Sequence, residues 1–523
     1  MTEEPYPDHP HRKPYPDDGY RLPQALIWWS PAQEAVDTRI IGITRASVAE
    51  EDLAPARPGR TRNRSYVLPK KYQQDALRTK GGRSVKHRFP YEEFPALDIP
   101  DLNLAGVYTL PESTQRVPDA ELVAAALEHP IGCGRLKDQV KPGMRVAVAV
   151  DDYSRSTKTE VLLPLVLEEL RRGGLQEEDI TIVIALGTHR PMSRAEIEDK
   201  YTTDVASRYR IVNPDWRQPS SYVDVGKGNG DLKELPTVRI HREVVEADYV
   251  VGVGQTIPHM IAGFGGGGKI INPGCADGDT VGEMHWLCRK VPEGRLFAVR
   301  DNAVRVRIDA IALNVGLRFI LNEVPGGSRR RERGASMAGA FAGHPVDAHT
   351  EACRAALAAC EVKIREKADI VLADAYPADL DFWQALKGLN AAYGAVKDGG
   401  TVILVTPCPE GTSSQHPELT EVGYIPTEQT TRMVSQGKLD KAVAANLFLG
   451  RRLLDRAQSI LVTRGIPEAD TRAMGFLWSP DPASALEMAL QRHGREARIN
   501  VLYKAAKMVC STAGGHRERD DDG

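Results

Sequence analysis

Apolar positions along the chain fall into short β-branched runs separated by longer amphipathic stretches, and this alternation sets in near residue 101. Residues 145–150 (RVAVAV) read as a buried strand ending at Asp151. Residues 160–172 place leucines on one helical face and stop at Gly173-Gly174, a helix C-terminus signal. Residues 180–186 (ITIVIAL) are the next strand, closed by Gly187, and Ser193 with Glu196 predicts the capping box of another helix. A further strand is expected over 249–253, and a helix over 346–367 with Cys353 and Cys360 on one buried face. From Asp369 the pattern repeats: strand 370–373, a helix over 382–397 capped by Asp381, strand 401–405, then more α/β sequence to about 505. Strand–helix–strand at this spacing predicts an α/β protein of two domains with mostly parallel sheets and an active-site cleft between them. The expected division is an irregular extension over 1–100, a catalytic and cofactor-binding α/β domain over 101–350 completed by 485–505, a second α/β domain over 365–484, and a disordered tail over 512–523.

Composition narrows the class without naming it. At 523 residues the chain exceeds what one core organises. A formal net charge of −3 gives no basic field for nucleic acid or an anionic membrane. No apolar run reaches the 18 residues a membrane span needs, and the proline-rich, acidic start is not a signal peptide. Seven cysteines without a CxxC pair suit reduced thiols in a cytoplasmic protein. Within the extension, Trp28 and Trp29 read as packing anchors and residues 57–64 (RPGRTRNR) as a basic patch. The stretch 326–334 (GGSRRRERG) reads as a solvated loop.

The candidate chemistry follows the strands, where parallel sheets bind ligands. DDYSR (Asp151, Asp152, Tyr153, Ser154, Arg155), GTHR (Gly187 to Arg190) and a glycine-rich stretch each come directly after one, so they are expected to converge. That stretch holds His259, then Gly265, Gly266, Gly267 and Gly268, then Lys269, and sixteen residues on, His285. Four glycines before a lysine suit close backbone approach to a phosphate. Ile270 stands where a P-loop needs Ser or Thr, which removes the magnesium ligand of nucleoside triphosphate chemistry. Lys269 reads as a point charge or as a nucleophilic amine. Cys275, His285 and Cys288 fit no standard zinc spacing. His189 is a candidate general base, and Arg190 an anion contact or a surface charge. Asp151 and Asp152 read as helix caps or as site carboxylates, and Arg155 suits bidentate binding of a carboxylate. Gln384 and Lys387 share a helix face beside Trp383.

Taken together, DDYSR, GTHR, PHMIAGFGGGGKIINPG, the histidine sixteen residues after the lysine, and WQALK resemble the lactate racemase family, over about residues 100–505. The resemblance implies a nickel-pincer nucleotide, derived from nicotinic acid, made and loaded by separate proteins and joined through a thioamide to Lys269. It implies that His285 completes the nickel coordination and that His189 and His259 are the catalytic histidines. It places Arg155, Gln384 and Lys387 at the substrate, with Asp152 beside Arg155. The implied reaction inverts C2 of a 2-hydroxy acid by proton-coupled hydride transfer through a 2-keto acid, with one histidine serving each enantiomer's hydroxyl. Trp383 stands where some members carry Tyr, and Pro214 where members often have His, so variation falls at the substrate end. Two rival readings use fewer of these residues: a metal-dependent hydrolase or lyase built on His259 and His285, and a non-catalytic nucleotide-binding protein.

Overall fold

The computed structural model describes residues 76–79, 82–111, 115–226, 237–326 and 336–512. Two six-stranded sheets carry these residues. The first runs from edge to edge as Met337–Gly343, Leu317–Pro325, Tyr249–Gln255, Val146–Asp151, Ile180–Ala185 and Arg210–Val212. Its neighbours are parallel except for the antiparallel pairing of the first two strands. The second runs as Leu477–Ser479, Gln458–Val462, Val396–Val405, Ala368–Asp374, Ile499–Leu502 and Leu104–Tyr108, with every pairing parallel.

The composition of the central strand explains how the first sheet is used. In VAVAVD the side chains alternate between faces. Val146, Val148 and Val150 enter one apolar layer with Leu162, Leu163, Val166 and Leu170 of the helix Thr159–Arg172. Ala147 and Ala149 face the opposite layer. On the neighbouring strand Gly252 pairs with Ala149, and a Cβ added there would lie 2.8 Å from the Ile270 Cγ2. The small residues make a shallow seat on which the segment around Ile270 can lie directly against the sheet.

The expected fold class holds, and several boundaries move. Residues 76–100, expected to be irregular, contain three antiparallel strands, Ala76–Thr79, Gly82–His87 and Leu97–Pro100. Phe89, Tyr91, Phe94, Leu97 and Ile99 bury against Ile370, Leu372, Ile403, Ile460 and Val501 of the second sheet. The aromatic density of this stretch is therefore a core signature. Trp28, Trp29, residues 57–64, residues 327–335 of the basic stretch and residues 513–523 lie outside the described residues. The segment 485–505 completes the second sheet, not the first, because Ile499–Leu502 pairs with Ala368–Asp374 on one side and Leu104–Tyr108 on the other. The helix expected over 346–367 ends at Cys360, where alternation takes over: Val362 and Ile364 are buried, Lys363 is exposed, and the strand pairs with Val509–Thr512. The helix expected over 382–397 stops at Tyr393, capped at Gly394, and Val396–Val405 begins at once.

Ile499 is fully buried in a strand with a neighbour on each side. Its truncation to alanine is expected to cost about 2–5 kcal/mol of unfolding free energy. Denaturant titration checks this; a loss under about 1 kcal/mol would contradict a central place for this strand.

Candidate functional site

The carboxyl ends of the first sheet's strands face helices of the second half, and a cavity of about 160 Å³ lies between them. Arg155, His189, His259, Gly265, Gly266, Lys269 and His285 line it from one side and Gln384 and Lys387 from the other. Asp152 stands behind His189, and Gly267 and Gly268 are buried behind the cavity wall. All three post-strand motifs thus meet in one place, which parallel strands ending on the same edge require.

His189 is fixed from both sides. Its Nδ1–H donates to Asp152 Oδ2 at 2.5 Å, and Asp152 also accepts from the Ser154 hydroxyl at 2.6 Å. Burial opposes the charge on Asp152. The His189 ring, Arg155 and Ser154 outweigh it and hold the carboxyl well below the usual range, so it is ionised. On the far side the Gln384 amide N–H donates to His189 Nε2 at 3.1 Å. The amide orientation follows from its oxygen, which accepts from Lys387 Nζ and from Arg155 Nη1 at 3.4 Å. The lone pair of His189 Nε2 therefore points into the cavity.

The other two imidazoles are fixed differently. His285 donates Nδ1–H to the Val281 carbonyl at 2.8 Å, one turn back along the helix Gly278–Trp286. Burial and the Lys269 charge bring its pKa down to about 4, which leaves a neutral ring with a lone pair on Nε2, the form that binds metals. Cys275 and Cys288 do not join it at the cavity; the Cys275 thiol meets the Ile270 carbonyl instead. In His259 the bonding is reversed: Nδ1 accepts from the backbone N–H of Ile261 at 3.1 Å and of Ala262 at 3.2 Å. Lys269 keeps some exposure inside the cavity. Desolvation, with Arg155 and Arg305 nearby, nonetheless brings its pKa to about 7.

The glycine run is dictated by what surrounds it. Gly265 N–H donates to the Ile257 carbonyl at 2.7 Å and Gly267 N–H to Asn322 Oδ1 at 2.8 Å, so half of the expected anion cradle is spent internally. A Cβ on Gly266 would lie 2.6 Å from both Asn322 Oδ1 and Thr256 Oγ1, and one on Gly267 2.7 Å from the His349 ring. Both residues also have positive φ, 75° and 58°. From behind, the fully buried Arg305 donates to the carbonyls of Ala262, Phe264 and Gly266, with Asp309 as its counter-ion. His349 donates to the Gly265 carbonyl at 2.8 Å. The loop is a rigid mount that brings Lys269 to the cavity.

Comparison with known proteins agrees with this geometry. Residues 92–295 match the model of the lactate racemase N-terminal domain, and residues 363–510 that of the lactate racemase C-terminal domain. The chain belongs to the lactate racemase family. Members of this family are isomerases, and the chain is an enzyme of that class. The chain is 28% identical over 425 residues to a lactate racemase of Thermoanaerobacterium thermosaccharolyticum, covering 79% of this chain and 96% of that one. It is 26% identical over 416 residues to a lactate racemase of Lactiplantibacillus plantarum, covering 77% and 94%. The solved lactate racemase apoprotein from T. thermosaccharolyticum superposes with a TM-score of 0.69 at 27% identity, over 80% of this chain and 97% of that one. A Thermotoga maritima protein at 21% identity shares the fold, with a TM-score of 0.58 over 77% and 100%.

Within this family member, three consecutive residues tie His189 to the opposite half. Thr188 Oγ1 meets His416 Nε2 at 3.2 Å, His189 meets Gln384, and Arg190 donates to Glu410 at 2.8 Å while also holding Glu196. Arg190 is thus paired with two carboxylates, and it covers the Tyr153 ring at 4.1 Å. His416 stacks on Trp383 with centroids 4.3 Å apart, and on its other side Trp216 lies at 6.3 Å, two residues past buried Pro214. Sequence reasoning missed Arg305, Asn322, His349, Glu410 and His416. Only Arg305 carried a local signal, since it and Asp309 form an i,i+4 ion pair on the apolar face of the helix Ala303–Asn314.

A Lys269 pKa of about 7 predicts ammonium below that pH and a nucleophilic amine above it. Acetylation of the cofactor-free chain, followed peptide by peptide against pH, is expected to show half-maximal labelling of Lys269 near 7. Ordinary lysines should follow a midpoint near about 10.4. A Lys269 midpoint that matches theirs would show the amine to be hydrated.

Proposed function

We propose that this enzyme inverts C2 of a 2-hydroxy acid, lactate being the substrate its relatives' names suggest, with a nickel-pincer nucleotide tethered to Lys269. The observation that carries the reading is the convergence of a carboxylate-backed histidine, Arg155, Lys387 and a desolvated Lys269 on one cavity. The residues present fit the cofactor. Lys269 offers a partly neutral amine for a covalent link, and His285 offers a neutral nitrogen donor fixed by its bond to Val281. When bound, the cofactor supplies an electrophilic carbon that accepts the α-hydrogen as hydride and returns it.

The chain's own groups make that exchange feasible. An α-proton beside a carboxylate is too weakly acidic to remove directly, so the proton to be taken is the hydroxyl's. His189 Nε2 receives it, and the ionised Asp152 balances the imidazolium that results. Arg155 and Lys387 hold the substrate carboxylate in place of the Gln384 oxygen that they share otherwise. Holding the carboxylate leaves the 2-keto acid free to turn its other face without leaving. Burial and the neighbouring Arg155 and Lys269 charges lower the pKa of Lys387 well below the lysine norm, and an arriving carboxylate would raise it again and favour the ammonium form.

Chain produced together with the cofactor-loading proteins should carry a covalent mass that Lys269→Ala lacks, and should interconvert enantiomers in a panel of single-enantiomer 2-hydroxy acids read by chiral chromatography. An active enzyme without the adduct would favour the hydrolase-type alternative, and an adduct without inversion of any substrate would leave a nucleotide-binding protein. Asp152→Asn removes the acceptor that orients His189 and is expected to lower kcat by roughly 10³–10⁴-fold with the adduct intact. A loss below tenfold would separate Asp152 from the base.

A further inference from the structure

The loop that carries Arg155 is braced by a helix that takes no part in the proposed chemistry. Thr157 donates its hydroxyl to Asp151 Oδ2 at 2.6 Å, which closes residues 151–157 on themselves. Lys200 Nζ donates to the Arg155 carbonyl at 2.9 Å and to the Thr157 carbonyl at 3.4 Å, and it lies 3.9 Å from Asp151 Oδ1. The Tyr201 hydroxyl donates to the Asp151 carbonyl at 2.9 Å. An ammonium brings three donors on a flexible stem, and here two carbonyls and a carboxylate surround it.

Lys200 and Tyr201 close the helix Arg194–Tyr201, whose start is fixed by the capping box of Ser193 and Glu196. Glu196 lies four residues before Lys200 on the same face and takes Arg190 on both carboxylate oxygens, at 2.8 and 3.0 Å. The helix therefore grips the loop after Val146–Asp151 with its last turn and the loop after Ile180–Ala185 with its first. Those two loops carry Arg155 and His189. Among the described residues the Arg155 head itself meets Ser154 Oγ at 2.8 Å and Gln384 Oε1 at 3.4 Å. With so few contacts at the head, the backbone decides where the guanidinium stands.

We propose that Lys200 is a positioning residue that preorganises Arg155 for the substrate carboxylate by holding the carbonyls of Arg155 and Thr157. The consequence for substrate binding rests on the reading of the enzyme as a 2-hydroxy acid racemase; the consequence for the loop does not. Without the ammonium, a substrate has to order the loop as it binds, and that cost appears as lost affinity. Once the substrate is bound, Arg155 stands where it did, so the chemical step is little changed. A plainer role is open to Lys200, the neutralising of a buried carboxylate at Asp151. The two roles differ in what happens when Asp151 loses its charge as well.

In the full-length chain without cofactor, Lys200→Met should speed hydrogen exchange over residues 152–158 at least about tenfold, with Val146–Asp151 unchanged. In the cofactor-loaded enzyme, Lys200→Met should keep the covalent mass on Lys269. Its KM for lactate should rise at least about tenfold while kcat stays within about threefold of the parent. Parent-like exchange and KM in this variant would overturn the proposal. Asp151→Asn combined with Lys200→Met leaves no charge unpaired and carries the test where the single variant does not fold. Fast exchange and a high KM in the double variant support the positioning role; recovery of both to parent values shows Lys200 to be a counter-ion alone and overturns it. Because exchange is read without cofactor, a loosened loop in a chain whose parent inverts no 2-hydroxy acid would sink the racemase reading and leave the hold on the loop standing.

Discussion

Gln384 accepts hydrogen bonds from two nitrogens at once, Lys387 Nζ on its own helix and Arg155 Nη1 from the far side of the cavity, and its N–H reaches His189. That amide settles several things together. Its oxygen gathers both donors, and that fixes which end of the amide meets the imidazole. It thereby leaves His189 with its lone pair on the cavity side. Arg155 and Lys387 thus meet at one acceptor that lines the cavity. Low dielectric strengthens each of these bonds and raises the cost of leaving any of them unmade.

The mount beneath Lys269 follows the same logic with neutral partners. Glycine is required at 266 and 267 by positive φ and by the nearness of Asn322, Thr256 and His349. The carbonyls that such a tight turn directs inward need donors, and a buried guanidinium supplies them with Asp309 as counter-ion. A buried charge of this kind is tolerable only because every nearby oxygen uses it. Rigidity here has a chemical purpose. An amine whose pKa has fallen to about 7 must be kept out of bulk water, and a loop free to open would hydrate it.

The fold class and the position of the cavity were legible because they depend on periodicity and on motifs placed directly after strands. Asp152, Arg155, His189, His259, Lys269, His285, Gln384 and Lys387 are all local to such motifs. The partners that give them their states were not legible. Asn322 meets Gly267 across 55 residues, and His416 meets Thr188 across 228. No spacing rule reaches that far. The glycine run is a related case: sequence shows four residues lacking side chains, but not whether a ligand or the protein occupies the space they vacate. Residues 84–100 and 499–502 were assigned elsewhere because a strand's sheet is chosen by long-range burial, and the pattern of Ile499 and Val501 would serve either sheet.

Consecutive contacts from Thr188, His189 and Arg190 to His416, Gln384 and Glu410 couple the position of the His189 ring to the closeness of the two halves. The Arg190–Glu410 pair is partly exposed, so its direct worth is small, on the order of 1 kcal/mol or less. Its value is geometric, since it acts at a residue adjacent to the base. His416, stacked on Trp383 at 4.3 Å with Trp216 at 6.3 Å on its other side, adds a second, apolar link between the halves. One end of that stack belongs to the first half and the other forms part of the cavity wall. Trp383 at the cavity wall and Thr188, one residue from His189, are in this way joined through a single imidazole, His416.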